Sequence, residues 1–279
     1  MMRGRAPRLM GVLTSLMIGG CANAPLEQGG TLSSYSDLAP SNGALTRAAL
    51  RANKEQVLAA RTVRIVPTQF TPAALATPFT PKQRAIVTNA VDRALCAGLS
   101  ERFEVVAADA PADLTVRASV THVTRTDATM VGVSKGLGIA KSVFLPDFIA
   151  PTPRLPIGLG SLSMEAGAYG PSGHQIVAMT WARGASALVG ASRVAEEGDA
   201  YVLAAEFGAD FSKLVSTGDT PFGKLPDMPS QEKIQMALKG TPKYPACAVF
   251  GRAPGFADLV GDGLGLPPDW TDKGAAPPS

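Results

Sequence analysis

The sequence predicts an α+β fold of two layers, a mostly antiparallel or mixed sheet with helices on one face, followed by an irregular C-terminal extension. Short runs of alternating apolar and polar residues are typical of half-buried strands. Two longer segments repeat apolar residues every three or four positions, which indicates amphipathic helices. Turn residues separate these segments in the order strand, helix, two strands, hairpin, helix.

The first strand is predicted at residues 62–68, where Pro67 limits further pairing. The first helix begins with Thr80 as N-cap, Pro81 at the first helical position, and Gln83 completing a capping box. Its apolar residues recur every four positions and predict one buried stripe: Val87, Val91, Leu95 and Leu99.

The second half of the predicted fold contains strands at 103–107 and 112–123 and a hairpin of 161–169 with 175–183. Alternation in the 112–123 strand predicts a sheet with one covered face and one wet face. A second helix is expected with Asp199 as its N-cap. Its predicted buried residues are Leu203, Phe207, Phe211 and Leu214.

Residues 1–20 have the composition of an export signal, with three arginines, no acidic residue, and an apolar run at 9–18. That run is about half the ~20 residues of a membrane-spanning helix. Small residues then lead into Cys21, and this ending resembles the lipobox of bacterial lipoproteins. The resemblance implies cleavage before Cys21 and acylation of that cysteine. The alternative is a plain secretory signal cut after Ala24.

The remaining chain divides by composition into three predicted parts. Residues 21–60 are small and polar, with Gly29-Gly30 and Asn42-Gly43, and predict a tether between lipid and fold. Residues 61–217 form the α+β domain. Residues 218–279 are rich in proline and glycine and predict an extension that is partly disordered, with one short helix at 230–239.

Charge and cysteine content limit the classes of function that the chain can have. Without the three signal arginines the chain has 23 basic and 23 acidic residues, so no electrostatic footprint for nucleic acid is expected. Three cysteines are present, and Cys21 is assigned to the lipid. Cys96 and Cys247 are therefore either a disulfide closing a loop of about 150 residues or two buried thiols.

Catalytic and metal-binding patterns are weak. His122 could pair with Asp113 or Asp127, but a structural histidine is the commoner outcome, and His174 lies in a predicted turn. The run 196–199 is expected to be a solvated loop with a helix cap. Cysteines and histidines lack zinc-like spacing, so no metal, cofactor or catalytic residue is predicted.

An apolar stretch follows the long strand. Residues 132–142 fail the phosphate-loop and dinucleotide templates and form an amphipathic stripe instead. This stripe either covers the sheet as core or forms an exposed docking surface for a partner protein or the membrane. The candidate docking residues are Val133, Leu137 and Phe144.

Four segments in this order resemble a family of bacterial lipoproteins known only as a domain of unknown function: 35–38 (Tyr-Ser-Asp-Leu), 63–67, 112–114, and 158–165. The resemblance implies an α+β envelope domain and brings no catalytic residues. By analogy with the sorting rule of bacterial lipoproteins, Ala22 after the cysteine implies the outer membrane, facing the periplasm. We therefore expect a non-enzymatic binding or accessory module for another envelope protein. The alternatives are a periplasmic hydrolase with an unrecognised site, or a purely structural role.

Overall fold

The computed structural model describes residues 24–134, 157–187, 193–223, 241–251, 264–272 and 274. These residues form one eight-stranded sheet, four helices and two short 3₁₀ segments, Ala74–Ala76 and Pro245–Phe250. The helices are α1 Lys54–Ala59, α2 Pro81–Leu99, α3 Gly198–Thr217 and α4 Pro268–Thr271, and residues 128–134 are also helical. The strands are β1 Ala39–Pro40, β2 Thr46–Ala52, β3 Thr62–Ile65, β4 Gln69–Phe70, β5 Glu104–Val105, β6 Leu114–Thr124, β7 Ser161–Tyr169 and β8 Gln175–Gly184.

The sheet is mixed, with the strand order β1-β2-β8-β7-β6-β3-β5. The pairs from β1 through to β6 are antiparallel. The two pairs at the other edge, β6 with β3 and β3 with β5, are parallel, and β4 continues the edge alongside β6. The predicted α+β class with a mixed sheet is confirmed.

Helices α2 and α3 pack against each other and cover one face of the sheet, so the core lies between the two layers. The predicted capping box of α2 is present, and the apolar residues predicted for both helices are buried. Trp181 of β8 packs edge-on against Phe207 with 5.6 Å between ring centroids, and Phe207 stacks on Phe211. Aromatic packing of this kind adds about 0.5–1.5 kcal/mol per pair beyond the burial of area.

The start of α3 differs from the prediction. Asp199 does not cap the helix, which begins at Gly198; its buried carboxylate accepts a hydrogen bond from the backbone N–H of Gly160 at 2.8 Å. Glu197 is also buried and accepts a bond from the Gln83 side chain. The expectation of a solvated loop at 196–199 is therefore wrong, because the amino ends of α2 and α3 meet there and the acids bind tertiary partners.

The predicted tether is wrong for its described part. Residues 46–52 are strand β2, which pairs with β8 along its whole length, and residues 54–59 are helix α1. Residues 24–35 lie against the sheet face that the helices leave open, so that face is only partly wet. The described folded region therefore begins at residue 24 and not at 61.

The described parts of the C-terminal extension are bound to helix α2. Arg93 of α2 pairs with Asp272 and donates to the Phe250 carbonyl oxygen at 3.2 Å. Within the extension predicted to be partly disordered, residues 268–271 form α4. The predicted helix at 230–239 lies outside the described residues. Within the described ranges, no helix combines the length and apolar character needed to cross a bilayer.

Candidate functional site

Two segments singled out in the sequence meet on the open face of the sheet. Glu165 stands at the centre of β7, on the opposite face from the core residues Leu162 and Met164, and is fully buried. Tyr35 comes from the N-terminal segment and donates its hydroxyl to Glu165 Oε2 at 2.7 Å. A sequence separation of 130 residues is thus closed by one charge-assisted hydrogen bond.

Three further donors complete the coordination of the Glu165 carboxylate. The backbone N–H of Gly29 donates to Oε2 at 2.9 Å. Thr31 donates to Oε1 twice, from its backbone N–H at 2.6 Å and from its hydroxyl at 2.5 Å. Four donors match the acceptor capacity of an ionised carboxylate. We call Glu165 together with residues 29–35 the N-terminal latch.

Glycines let the segment lie flat on the sheet. A Cβ atom at Gly29 would lie 2.5 Å from Thr121 Cγ2 and 3.1 Å from Glu165 Oε1, so no larger residue fits without a shift. Gly30 has φ of +76°, a conformation that side chains other than glycine disfavour. In the latch, Gly29 therefore allows close contact with the sheet and Gly30 allows a turn. The sequence alone predicts this pair to be part of a flexible tether.

The N-terminal segment is also held before and after the latch. The Ala24 carbonyl oxygen accepts from the Arg47 guanidinium at 2.5 Å, and the Pro25 carbonyl oxygen accepts from Ser163 Oγ at 2.6 Å. Further along, the Ser34 backbone N–H donates to the Gln175 side chain at 2.8 Å. These contacts tie residues 24–35 to β2, β7 and β8.

Electrostatics in the latch keep Tyr35 a donor. Burial raises the pKa of the Tyr35 hydroxyl, and the hydrogen bond and negative charge of Glu165 raise it further. A phenolate next to a carboxylate would be repelled, so the neutral phenol is the stable form. The latch is a structural clasp for the chain's N-terminal part, since its polar atoms are used by one another.

The residues considered for catalysis are not brought together. Nδ1 of His122 lies 3.8 Å from Glu27. Asp113 accepts the backbone N–H groups of residues 61 and 62, which lowers the pKa of its carboxyl, and Asp127 accepts those of residues 129 and 130. His174 is exposed in the hairpin turn. The described ranges contain no group of three acids, histidines or cysteines placed to hold a metal.

The structure describes some of the remaining predicted site residues and not others. Cys96 of α2 and Cys247 are joined by a disulfide with 6.0 Å between their Cα atoms. Val133 is 47% exposed at the end of a described helical stretch, while Leu137 and Phe144 lie outside the described residues. Cys21 also lies outside them. The structure therefore neither joins nor separates the three predicted docking residues.

Two half-buried acids on the helix side, Glu206 and Asp210, were not predicted from the sequence. Asp210 of α3 accepts the Trp181 indole N–H at 2.9 Å, and Glu206 pairs with Arg183 at 3.0 Å. Burial raises the pKa of both carboxyls. The sequence does show single acids among the apolar positions of this helix, which could have indicated partly buried carboxylates. It does not reveal the partner that each of them has on strand β8.

Asp92 of α2 makes stability depend on pH. Burial raises the pKa of its carboxyl from 3.8 to about 7, although the Thr68 hydroxyl and backbone N–H donate to it. The folded state therefore keeps a proton that the unfolded state releases, so this group lowers stability as pH rises from about 4 to about 7. Asp92→Asn is expected to be more stable than the parent by up to about 4 kcal/mol above pH 7.

Urea unfolding of both proteins between pH 4 and pH 8 measures this effect. We expect the stability difference between Asp92→Asn and the parent to grow with pH across that interval and then to level off. Asp109→Asn removes an exposed acid and should track the parent. A difference that is the same at pH 4 and pH 8 would exclude Asp92 as the titrating group.

The fold and the latch define an α+β domain whose N-terminal segment is bound across its own sheet. The chain belongs to the family described as Protein of unknown function (DUF3313), whose match covers residues 27–211 and so includes both halves of the latch. This confirms the predicted resemblance to a family of unknown function. No curated protein matches the sequence.

Solved structures similar to this chain include two PelC dodecamers from Paraburkholderia phytofirmans. One, of a single-residue variant, is 12% identical, covers 64% of this chain and 94% of its own, and has a TM-score of 0.32. The other is 11% identical, covers 62% of this chain and 96% of its own, and has a TM-score of 0.34. Values this low carry no information on function or assembly.

Proposed function

We propose that this chain is an acylated cell-envelope lipoprotein, anchored through Cys21 in the outer membrane and facing the periplasm. In this role it acts as a binding or accessory module for another envelope protein, and not as an enzyme. The observation that supports the proposal best is the N-terminal latch. It holds residues 29–35, which begin eight positions after Cys21, against the sheet.

The short distance from Cys21 to the fold gives the anchor a direct mechanical role. Ala24 is already bound by Arg47, and three residues of chain span at most about 11 Å. The domain would therefore stay close to the bilayer, without the reach of a flexible linker. Acyl chains contribute about 0.8 kcal/mol per buried CH₂, so several chains make such attachment durable.

A binding role agrees with how three of the acids are used. Glu165, Asp113 and Asp127 each accept backbone hydrogen bonds that hold local structure. A general base needs a carboxylate or histidine free to contact substrate. The use of these three carboxylates therefore supports a scaffold held at the membrane over a hydrolase that relies on them.

The Cys21→Ala variant tests the proposal. We expect the parent to incorporate a fatty-acid probe and to sediment with membranes, and the variant to lose both properties because it has no thiol to acylate. The Cys96→Ala/Cys247→Ala double variant removes two cysteines and should remain acylated. With the acylated parent, a pull-down from detergent-solubilised envelope should recover a discrete envelope protein. A Cys21→Ala protein that still carries the probe or stays membrane-bound would refute the anchor.

A further inference from the structure

The N-terminal segment enters the domain at one end of strands β6, β7 and β8. At this end of the strands, Thr124 of β6, Ser161 of β7 and Gly184 of β8 are aligned in register. The N-terminal segment contacts Ser163 first, then Glu165 and Gln175, so it runs along the strands away from these ends. Ala24, the first described residue, therefore lies toward these strand ends, which we call the entry end.

The amino ends of both long helices also lie at the entry end. Thr126, two residues beyond β6, donates its backbone N–H to the Glu196 carbonyl oxygen at 2.8 Å, just before α3. Gln83 in the first turn of α2 donates to Glu197. The entry end is thus a surface formed by strand ends, helix starts and their loops.

Exposed apolar side chains are concentrated at this surface. Among the described residues, eight large apolar side chains are exposed, and six of them belong to segments at the entry end. The two others, Leu58 and Val249, lie near the far end of α2, where Arg102 binds the Leu58 carbonyl oxygen and Cys96 binds Cys247. The six are Leu26, Leu75, Val133, Ile157, Leu264 and Trp270.

Hydrogen bonds and an ion pair fix the positions of the three most exposed of these residues. Ile157, 63% exposed, precedes Gly158, whose carbonyl oxygen accepts from the Asp127 N–H just beyond β6. Leu264, 63% exposed, precedes Gly265, whose carbonyl oxygen accepts from the Val194 N–H. Trp270, 70% exposed, follows Asp269, which pairs with Lys82 in the first turn of α2 at 3.1 Å.

We propose that the entry end rests on the lipid bilayer that holds the acyl chains of Cys21, with these apolar side chains in the membrane interface. This rests on the proposed lipid anchor. The three Cα–Cα steps from Cys21 to Ala24 limit the gap between lipid and domain to about 11 Å. An apolar surface so close to the bilayer is covered by it, and tryptophan is enriched at membrane interfaces.

Charge pairing indicates that the contact is apolar and not electrostatic. Lys82 is paired with Asp269, and Arg125 is paired with Glu196 at 2.5 Å. Each pair neutralises one cation that could attract anionic lipid headgroups. The contact should therefore form on zwitterionic vesicles, without anionic lipid.

Tryptophan fluorescence tests the contact on the full acylated chain. The protein has two tryptophans, of which Trp181 is fully buried and Trp270 is exposed. The protein is reconstituted into phosphatidylcholine vesicles with and without lipids brominated on the acyl chains. We expect the brominated lipids to quench Trp270 and to leave Trp181 emitting. Trp270→Phe should remove the quenchable component while the protein still floats with the vesicles.

A relocated reporter provides the matched control. In the Trp270→Phe background, Leu58→Trp places an indole at an exposed position near the far end of α2, and its emission should not respond to brominated lipid. Vesicle-bound protein in which Trp270 is not quenched, or in which both positions are quenched equally, would overturn this inference and leave the anchor intact. Protein that carries no acyl group and does not float would instead overturn the proposed function.

Discussion

Replacing Cys96 and Cys247 together by alanine is expected to lower the free energy of unfolding by about 3–5 kcal/mol. The disulfide joins residues 151 positions apart, and closing so long a loop removes much of the entropy of the unfolded chain. Both sulfur atoms are buried between α2 and the C-terminal extension. In a chain of this size the change corresponds to a fall in Tm of about 10 °C.

Reduction of the parent protein separates the bond from the side-chain change. Dithiothreitol should destabilise the parent and leave the double alanine variant unaffected. Thiol alkylation followed by mass measurement, without prior reduction, should label neither Cys96 nor Cys247 in the folded parent. Alkylation of both thiols, or a double variant with the parent's stability under oxidising conditions, would rule out a stabilising disulfide.

Glu165→Ala is expected to release the N-terminal segment and to destabilise the fold by about 2–4 kcal/mol. The substitution removes the acceptor for four hydrogen bonds, and bonds to a charged group contribute about 1.5–3 kcal/mol each when their donors cannot be satisfied otherwise. Released donors regain water, so the sum is smaller than four full bonds. Hydrogen exchange of the amides of Gly29 and Thr31 should accelerate well before the sheet opens.

Graded variants give this prediction its controls. Tyr35→Phe removes one of the four donors, and Glu165→Gln keeps the side-chain size while presenting an amide to two of them, so both should have smaller effects. Glu55→Ala removes an exposed acid from α1 and should change neither exchange nor stability. Unchanged amide protection at residues 29–31 in Glu165→Ala would contradict the latch.

The layers of the fold were accessible from the sequence because its long elements follow simple periodicity. The capping box at Thr80 and the apolar stripe from Val87 to Leu99 place α2 within one residue of its observed bounds. The hairpin of β7 and β8 was equally clear, since turn residues separate two alternating runs. These signals are local, so no knowledge of tertiary partners was needed.

The N-terminal strand was missed because its residues have weak strand preference. Strand β2 reads Thr-Arg-Ala-Ala-Leu-Arg-Ala, in which Thr46 is the one β-branched residue and no residue is aromatic. Its pairing with β8 supplies the stability that its composition does not. Glycine, serine and asparagine around it indicated a tether, yet in the folded domain the glycines serve close packing.

The latch could not be derived from periodicity. Glu165 occupies a position on the face of β7 that an alternating pattern assigns to solvent, and it is buried only because residues 24–35 cover it. The two sequence motifs 35–38 and 158–165 contain Tyr35 and Glu165, but neither motif indicates that these residues are in contact. Long-range pairing between a polar loop and a strand leaves no local signal.

The intact mass of the protein purified from membranes tests the central claim most directly. If Cys21 anchors the domain at the bilayer, the mass should equal residues 21–279 plus a diacylglyceryl group and an amide-linked acyl chain. An unmodified chain of any length, or one whose first residue lies beyond Cys21, would contradict the account.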